Sequence, residues 1–267
     1  MIESIAELRT KCQPKEKSKT DPLLEWHILR PFSIYVTWLA IRLGLNANHV
    51  SFLGLFMGVS AGAALMVGSL GWALIAGILA WMSFLLDCVD GEVARYRGSS
   101  SMSGTYLDYM VGGVNDVVIL LGLSLYVVLQ MEWHAQAVLA AGVMLAFLEK
   151  VVSLYSHSVV FRNVRSCWND IEKQPIKDAD KLVWPEMSLM ARLMRVPLET
   201  FFRVNFILIA AVIGYSLGFP EALVIAWVII LILGWVYVVR AFYNEFWGDR
   251  VTRNMTGFIS ALKRSDF

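Results

Sequence analysis

The sequence predicts an all-α, polytopic membrane protein with six transmembrane helices and an N-terminal interfacial helix. Of its 267 residues, 57% are hydrophobic and only 17% are charged, and the mean hydropathy is +0.59. A soluble domain of this length would be about one quarter charged. Six apolar stretches approach the length of about 20 residues that a helix needs to cross a hydrocarbon core. They comprise residues 50–67, 70–86, 109–129, 135–155, 201–219 and 222–239.

The composition also excludes two other classes of protein. The apolar content is too high for an intrinsically disordered chain. The 23 lysines and arginines are offset by 22 aspartates and glutamates, so the chain lacks the basic excess that nucleic-acid binding requires. We therefore expect membrane lipids, and no nucleic acid, among its partners.

The residues before the first apolar stretch are predicted to lie in the cytoplasm and along the membrane surface. Residues 1–21 are basic and have no apolar segment behind them, so they do not form a secretory signal. Residues 31–41 are apolar but too short to span, and they lie between Arg30 and Arg42. This pattern predicts an amphipathic helix in the interface.

The lysines and arginines predict the orientation of the helices. The joins after the first, third and fifth stretches contain neither residue type. Nearly all of them lie in the N-terminal segment, in residues 87–108, in the loop 156–199 and in the tail 242–267. By the positive-inside rule, both termini and both long loops are cytoplasmic. The predicted domains are the N-terminal lead with the interfacial helix (1–46), the membrane domain (47–241) and the tail.

Three aspartates lie where the second and third apolar stretches meet the cytoplasmic side. Asp87 and Asp90 follow the second stretch with a spacing that places them on one helical face, and Asp108 precedes the third. Carboxylates at such positions are costly unless they serve a function. Three converging carboxylates repel one another unless a cation lies among them, and oxygen ligands favour Mg²⁺ or Mn²⁺.

Small residues and an arginine accompany these acids. Gly91, Ala94 and Gly104 leave room beside the metal, and Arg95 offers a guanidinium fork that suits phosphate oxygens. Together they suggest a nucleoside diphosphate whose pyrophosphate reaches the ion. In the alternative interpretation, the acids only pair with Arg95 and Arg97, which explains neither Gly91 nor Ala94.

The segment resembles the signature of the CDP-alcohol phosphotransferase family. The pattern Asp87-x2-Asp90-Gly91-x2-Ala94-Arg95-x8-Gly104-x3-Asp108 matches seven of its eight positions. The resemblance covers about residues 30–239. It implies a six-helix membrane enzyme, commonly a homodimer, with its active site open to the cytoplasm. Such enzymes transfer a phospho-alcohol or phosphatidyl group from a CDP-linked donor to a hydroxyl acceptor and release CMP, in phospholipid or polar-lipid synthesis.

The resemblance also implies roles for individual residues. The three aspartates would bind Mg²⁺ or Mn²⁺, and the donor nucleotide would contact four positions, namely Gly91, Ala94, Arg95 and Gly104. Two basic residues near the cytoplasmic ends of the fourth and fifth stretches, Lys150 and Arg203, would bind an anionic acceptor. Their alternative roles are snorkelling to the headgroups and positive-inside anchoring.

The eighth position of the signature departs from the family. The usual fourth Asp, a metal ligand and proposed general base, is replaced by Gly112. Three hypotheses follow: another residue acts as the base, the acceptor is already acidic, or the protein binds a CDP-linked ligand without efficient turnover, as a regulatory or partner subunit. Asp116 is the candidate base, although at about 100° per residue it lies about 80° around the helix from Asp108, whereas Asn115 lies about 20° away.

Overall fold

All regular elements in the described part of the chain are helices. The computed structural model describes residues 4–14, 23–99, 102–130, 137–148 and 200–246. The helices are α1 (Ile5–Cys12), α2 (Arg30–Arg42), α3 (Ala47–Met66), α4 (Leu70–Arg97), α5 (Met102–Gln130), α6 (Ala137–Leu148), α7 (Thr200–Leu217) and α8 (Glu221–Phe246). A π-helical turn, Glu25–Leu29, leads into α2.

In the part of the chain that the structure describes, four helices are long and apolar enough to cross a membrane: α3, α4, residues Tyr106–Gln130 of α5, and residues Glu221–Arg240 of α8. In the described residues, α6 and α7 are apolar but shorter. The integral membrane class is thus confirmed. The count of six spans, the interfacial position of α2 and the cytoplasmic orientation stay predictions, and much of the fourth predicted stretch lies outside the described residues.

Helix α4 continues well beyond its apolar stretch. Its N-cap is Ser69, whose hydroxyl accepts a hydrogen bond from the backbone N–H of Trp72, and its C-cap is Gly98, whose φ of +59° is left-handed. The helix is not interrupted between residues 88 and 97. It stops at Gly98, because a left-handed residue ends an α-helix. Asp87 and Asp90 therefore lie on the helix itself rather than in a connecting loop.

Helix α3 packs along both α4 and α5, whereas α4 and α5 contact each other little. The close approach of α3 to α5 depends on glycine. A Cβ at Gly62 would overlap Val118, and one at Gly122 would overlap the backbone of Gly62. This arrangement leaves a gap between α4 and α5, and α3 lines one side of the gap.

Helix α7 runs antiparallel to α4. A Cβ at Gly77 would lie 2.8 Å from Cδ1 of Leu208, and one at Gly214 would lie 3.0 Å from Cδ2 of Leu70. As the residue number increases along α7, from Leu208 to Gly214, the number of the facing residue on α4 decreases, from Gly77 to Leu70. The start of α7 and the end of α4 lie at the same end of the bundle.

The N-terminal helices pack against the end of α4. Leu8 and Cys12 of α1 are fully buried with Ile34 of α2, and Tyr96 of α4 packs against this cluster. A capping box begins α1, because Ser4 and Glu7 exchange hydrogen bonds. The backbone and hydroxyl hydrogen bonds from Ser4 lower the pKa of Glu7.

The contacts divide the chain into two units. The described residues up to Ala146, with residues 200–233, belong to the first unit. The described residues of the site discussed below lie in this unit. The described residues of the second unit are 147–148 and 234–246.

Candidate active site

The structure brings together the three predicted metal ligands. One carboxylate oxygen from each of Asp87, Asp90 and Asp108 lies within 4.8 Å of the others. Oxygens around a single ion with ligand distances of about 2.0–2.6 Å lie roughly 3–5 Å apart. The spacing and the all-oxygen donor set thus fit a divalent metal ion.

Asp90 is oriented by a hydroxyl group of α3. The Oγ atom of Ser51 donates a hydrogen bond of 2.5 Å to Oδ2 of Asp90, and both residues are buried. Sequence reasoning missed Ser51, because a serine in an apolar helix also bonds to its own backbone, as this one does to the carbonyl oxygen of Ala47. Its position one turn before Gly54, on the face that carries Gly58, is the signal that could have found it.

A cavity of about 100 Å³ occupies the gap between α4 and α5. Its lining comes from α3 (Ser51, Gly54), α4 (Ser83, Phe84, Asp87, Asp90) and α5 (Val111, Gly112, Asn115, Asp116). Pockets that enclose a drug-sized ligand have volumes of about 300–1,000 Å³. This cavity therefore suits the reacting end of a substrate rather than a whole nucleotide-linked lipid.

Gly112, where the resemblance predicts an aspartate, lines the cavity. Among the described residues, a Cβ added there meets no atom within 4 Å. At Gly58, by contrast, an added Cβ would overlap the side-chain amide of Asn115. Packing thus requires glycine at position 58 but not at position 112, where a carboxylate would project into the cavity.

Asn115 ties together the three helices that form the cavity. Its Nδ2 donates to Oγ of Ser83 (2.9 Å) and to the carbonyl oxygen of Gly54 (3.2 Å), and the Ser83 hydroxyl also donates to that carbonyl. A carbonyl only accepts, so the amide nitrogen must face it and the orientation of Asn115 is defined. An amide cannot serve as a general base at neutral pH, which leaves Asp116 as the carboxylate that α5 adds to the cavity wall.

Arg95 lies beside the acids and is held from the N-terminal side. Its Nε donates a 2.7 Å hydrogen bond to the carbonyl oxygen of Cys12. Its Nη1 lies 3.3 Å from the point that a Cβ at position 91 would occupy, so Gly91 provides the space for the guanidinium. Ala94 and Gly104, the other small residues of the predicted nucleotide site, are half-buried.

Glu92, at a variable position of the signature, is a functional candidate that sequence reasoning missed. It is fully buried, and its Oε1 accepts hydrogen bonds from Arg30 (3.0 Å), Ser33 (2.6 Å) and Gln13 (2.9 Å). Its Oε2 accepts one from Thr37 at 2.6 Å. The available signal was a glutamate next to Gly91, together with an arginine at the start of α2.

Of the two predicted acceptor ligands, only Arg203 lies in the described residues, and Lys150 lies outside them. Arg203 is 8% exposed near the start of α7. Because Leu208 faces Gly77 and α7 runs antiparallel to α4, Arg203 lies at the level of residues 81–82. Residues 81–82 directly precede Ser83 and Phe84, which line the cavity.

Comparison with known proteins assigns the chain to a family. The sequence model of the CDP-alcohol phosphatidyltransferases matches residues 45–239, which is well over half of the chain. The chain belongs to the CDP-alcohol phosphatidyltransferase family. The predicted signature residues on α4 and α5 all lie within the matched range.

The chain has low sequence identity to individual members of the CDP-alcohol phosphatidyltransferase family. The chain is 30% identical to the archaetidylinositol phosphate synthase of Methanothermobacter thermautotrophicus over 92 residues, which cover 34% of this chain and 45% of that protein. The match thus spans less than half of the relative.

Two crystal structures of the phosphatidylinositol phosphate synthase of Mycobacterium tuberculosis share the fold. The structure with CDP-DAG bound has a TM-score of 0.55 and 18% identity, covering 79% of this chain and 92% of that one. The complex with manganese and citrate has a TM-score of 0.56 and 17% identity, covering 79% and 87%.

Proposed function

We propose that this CDP-alcohol phosphatidyltransferase family member transfers a phospho-alcohol or phosphatidyl group from a CDP-linked donor to a hydroxyl acceptor and releases CMP. The observation that carries the proposal is the convergence of the three signature aspartates within 4.8 Å beside a cavity. The CDP-DAG and manganese complexes of the mycobacterial synthase support a CDP-linked donor and a divalent metal. The product would enter phospholipid or polar-lipid synthesis.

In the transfer, the acceptor oxygen forms a bond to the donor phosphorus that carries the alcohol. The bond from that phosphorus to the bridging oxygen breaks, and its electron pair leaves with CMP. Asp87, Asp90 and Asp108 would hold Mg²⁺ or Mn²⁺, which when bound neutralises charge on the phosphates and on the leaving CMP. Arg95 would pair with a phosphate oxygen, and Gly91 lets its guanidinium lie close to the backbone.

The proton of the acceptor hydroxyl needs a base other than residue 112. We assign this role to Asp116, which lies one helical turn after Gly112 and lines the same cavity. Water in the open space at Gly112 would connect the hydroxyl to this carboxylate. A general base contributes a factor of about 10²–10⁴ to such a rate.

The acceptor is proposed to carry negative charge. Arg203 is a buried cation at the level of the cavity lining, and Lys150 follows the fourth apolar stretch. Both relatives are named as synthases of inositol phosphate lipids, so inositol phosphate is the first acceptor to test.

A second function is favoured by the open space at Gly112. Without a carboxylate there, the protein would bind a CDP-linked ligand and act as a regulatory or partner subunit rather than as an efficient enzyme. An aspartate at position 112 separates the two functions, because its Cβ would meet no atom of the described residues within 4 Å.

The test is Mg²⁺- or Mn²⁺-dependent CMP release by the purified protein. The donors are CDP-diacylglycerol and soluble CDP-alcohols, and the hydroxyl acceptors include inositol phosphate. We expect release from the wild type, its loss in Asp87→Asn, and a decrease of about 10²-fold or more in Asp116→Asn. Release only after Gly112→Asp would favour the binding function. If neither the wild type nor Gly112→Asp releases CMP, and neither binds CDP, the result would overturn the enzymatic function and the binding function.

A further inference from the structure

The N-terminal helix α1 is docked on the end of α4 that carries the signature. Leu8 and Cys12 of α1 are fully buried, and the Lys11 ammonium lies 5.9 Å from the centre of the Tyr96 ring. Helix α1 lies outside residues 45–239 that match the family, whereas Tyr96 lies within them. A helix outside the family match thus packs against the helix that carries the first part of the signature.

The last turn of α1 binds the arginine of the signature. The carbonyl oxygen of Cys12 accepts the 2.7 Å hydrogen bond from Nε of Arg95. Carbonyls in the last turn of a helix have no partner within the helix and lie at the negative end of its dipole. They are therefore strong partners for a guanidinium. With Nε held on this side, Nη1 lies over Gly91, beside Asp90.

The end of α1 is itself anchored to buried groups. Nε2 of Gln13, the residue that follows the helix, donates to Oε1 of Glu92 (2.9 Å) and to the carbonyl oxygen of Arg30 (2.8 Å). Glu92 in turn accepts hydrogen bonds from Arg30, Ser33 and Thr37 of α2. The position of the Cys12 carbonyl is thus set by a buried network that joins α1, α2 and α4.

We infer that α1 is a positioning element for the donor: through the Cys12 carbonyl it orients the Arg95 guanidinium toward the phosphates of the nucleoside diphosphate. This role rests on the proposed function of Arg95 in phosphate binding. The docked helix raises the affinity for the donor by ordering the guanidinium before the phosphates bind. It adds no group to the reaction itself.

A matched pair of variants tests the inference. Leu8→Glu places a charge in the buried contact of α1, whereas Ala6→Glu places the same charge on its exposed face. The measurement is the dissociation constant of CDP with Mn²⁺ for the full chain in detergent. Because Leu8→Glu removes the hydrogen bond that orders the guanidinium, we expect it to weaken CDP binding about tenfold, which corresponds to about 1.4 kcal/mol. Ala6→Glu keeps the wild-type affinity.

A double-mutant cycle separates positioning from general damage. If α1 acts through Arg95, adding Leu8→Glu to Arg95→Ala produces no further loss of affinity. An equal loss in both backgrounds would overturn the inference, and so would a lower Tm for Leu8→Glu with unchanged CDP affinity. In turnover, Leu8→Glu should raise the KM of the donor and leave kcat nearly unchanged.

The outcomes also separate this inference from the proposed function. A wild type that binds CDP without releasing CMP would contradict turnover but leave the role of α1 measurable by affinity. Equal CDP affinity in the wild type and Leu8→Glu would overturn only the role of α1. No CDP binding by the wild type would overturn both.

Discussion

Two glycines of the site have opposite physical requirements. Gly58 lies under the amide of Asn115, and an added Cβ would overlap it, while Gly112 faces open space. Glycine in a helix interior costs roughly 0.5–1 kcal/mol relative to alanine, so only a packing or chemical reason retains it. At Gly58 the reason is packing. At Gly112 the described residues show no packing reason.

Alanine at each position separates these reasons. We expect Gly112→Ala to raise the unfolding free energy by up to about 1 kcal/mol. We expect Gly58→Ala to lower it by about 1–3 kcal/mol, because the α3–α5 contact must open. Thermal unfolding in one detergent measures both. A similar Tm change for the two variants would contradict the open space at Gly112.

Single residues also show how far a sequence predicts this site. The three aspartates were predictable because carboxylates at the ends of apolar stretches are costly and rare. Ser51 and Asn115 were not assigned contacts, since their partners are a side chain or a backbone carbonyl on another helix. Sequence spacing within one helix contains no information on such partners.

At the scale of elements, the helix positions were predictable and their ends were not. Hydropathy marked residues 70–86, but α4 continues to Arg97 because charged residues sustain a helix as well as apolar ones do. The part of the signature from Asp87 to Arg95 therefore lies on helix α4, and Glu92 holds α2 against this helix. Arg30 and Glu92 are both buried, at 5% and 0% exposure.

Breaking this pair should loosen α2 from α4. Removing one partner of a buried ion pair costs about 3–5 kcal/mol, because the remaining charge is left uncompensated. We expect Glu92→Gln to reach the lower end of this range, since Glu25 lies 3.2 Å from Arg30 and offsets part of the charge. Arg30→Met should cost a similar amount, and Glu92→Gln combined with Arg30→Met should restore part of the stability.

The measurement is thermal unfolding of the three variants beside the wild type. Asp116→Asn is the matched control, because it also removes a carboxylate but lies on the cavity wall away from this network. Additive losses in the double variant would show that Arg30 and Glu92 do not act as a pair.

At the scale of the whole molecule, the family match, the four long apolar helices of the described residues and the charge pattern all indicate a helical membrane protein. Because α7 runs antiparallel to α4, the end of α4 and the turn after α7 lie at opposite ends of the bundle. The first carries Arg95 and Arg97, whereas residues 218–221 contain no basic residue. The positive-inside rule therefore predicts that Ser99 faces the cytoplasm and Phe219 the opposite side.

Single cysteines at these two exposed positions test the orientation in intact cells. The native Cys12 and Cys88 are buried, and Cys167→Ser removes the third thiol. We expect a membrane-impermeant maleimide to label Phe219→Cys from outside, and to label Ser99→Cys only after the membrane is permeabilised. Labelling of both from one side would contradict the antiparallel packing of α4 and α7. The reverse pattern would preserve the fold but place the aspartates, and with them the reaction, on the side away from the cytoplasm.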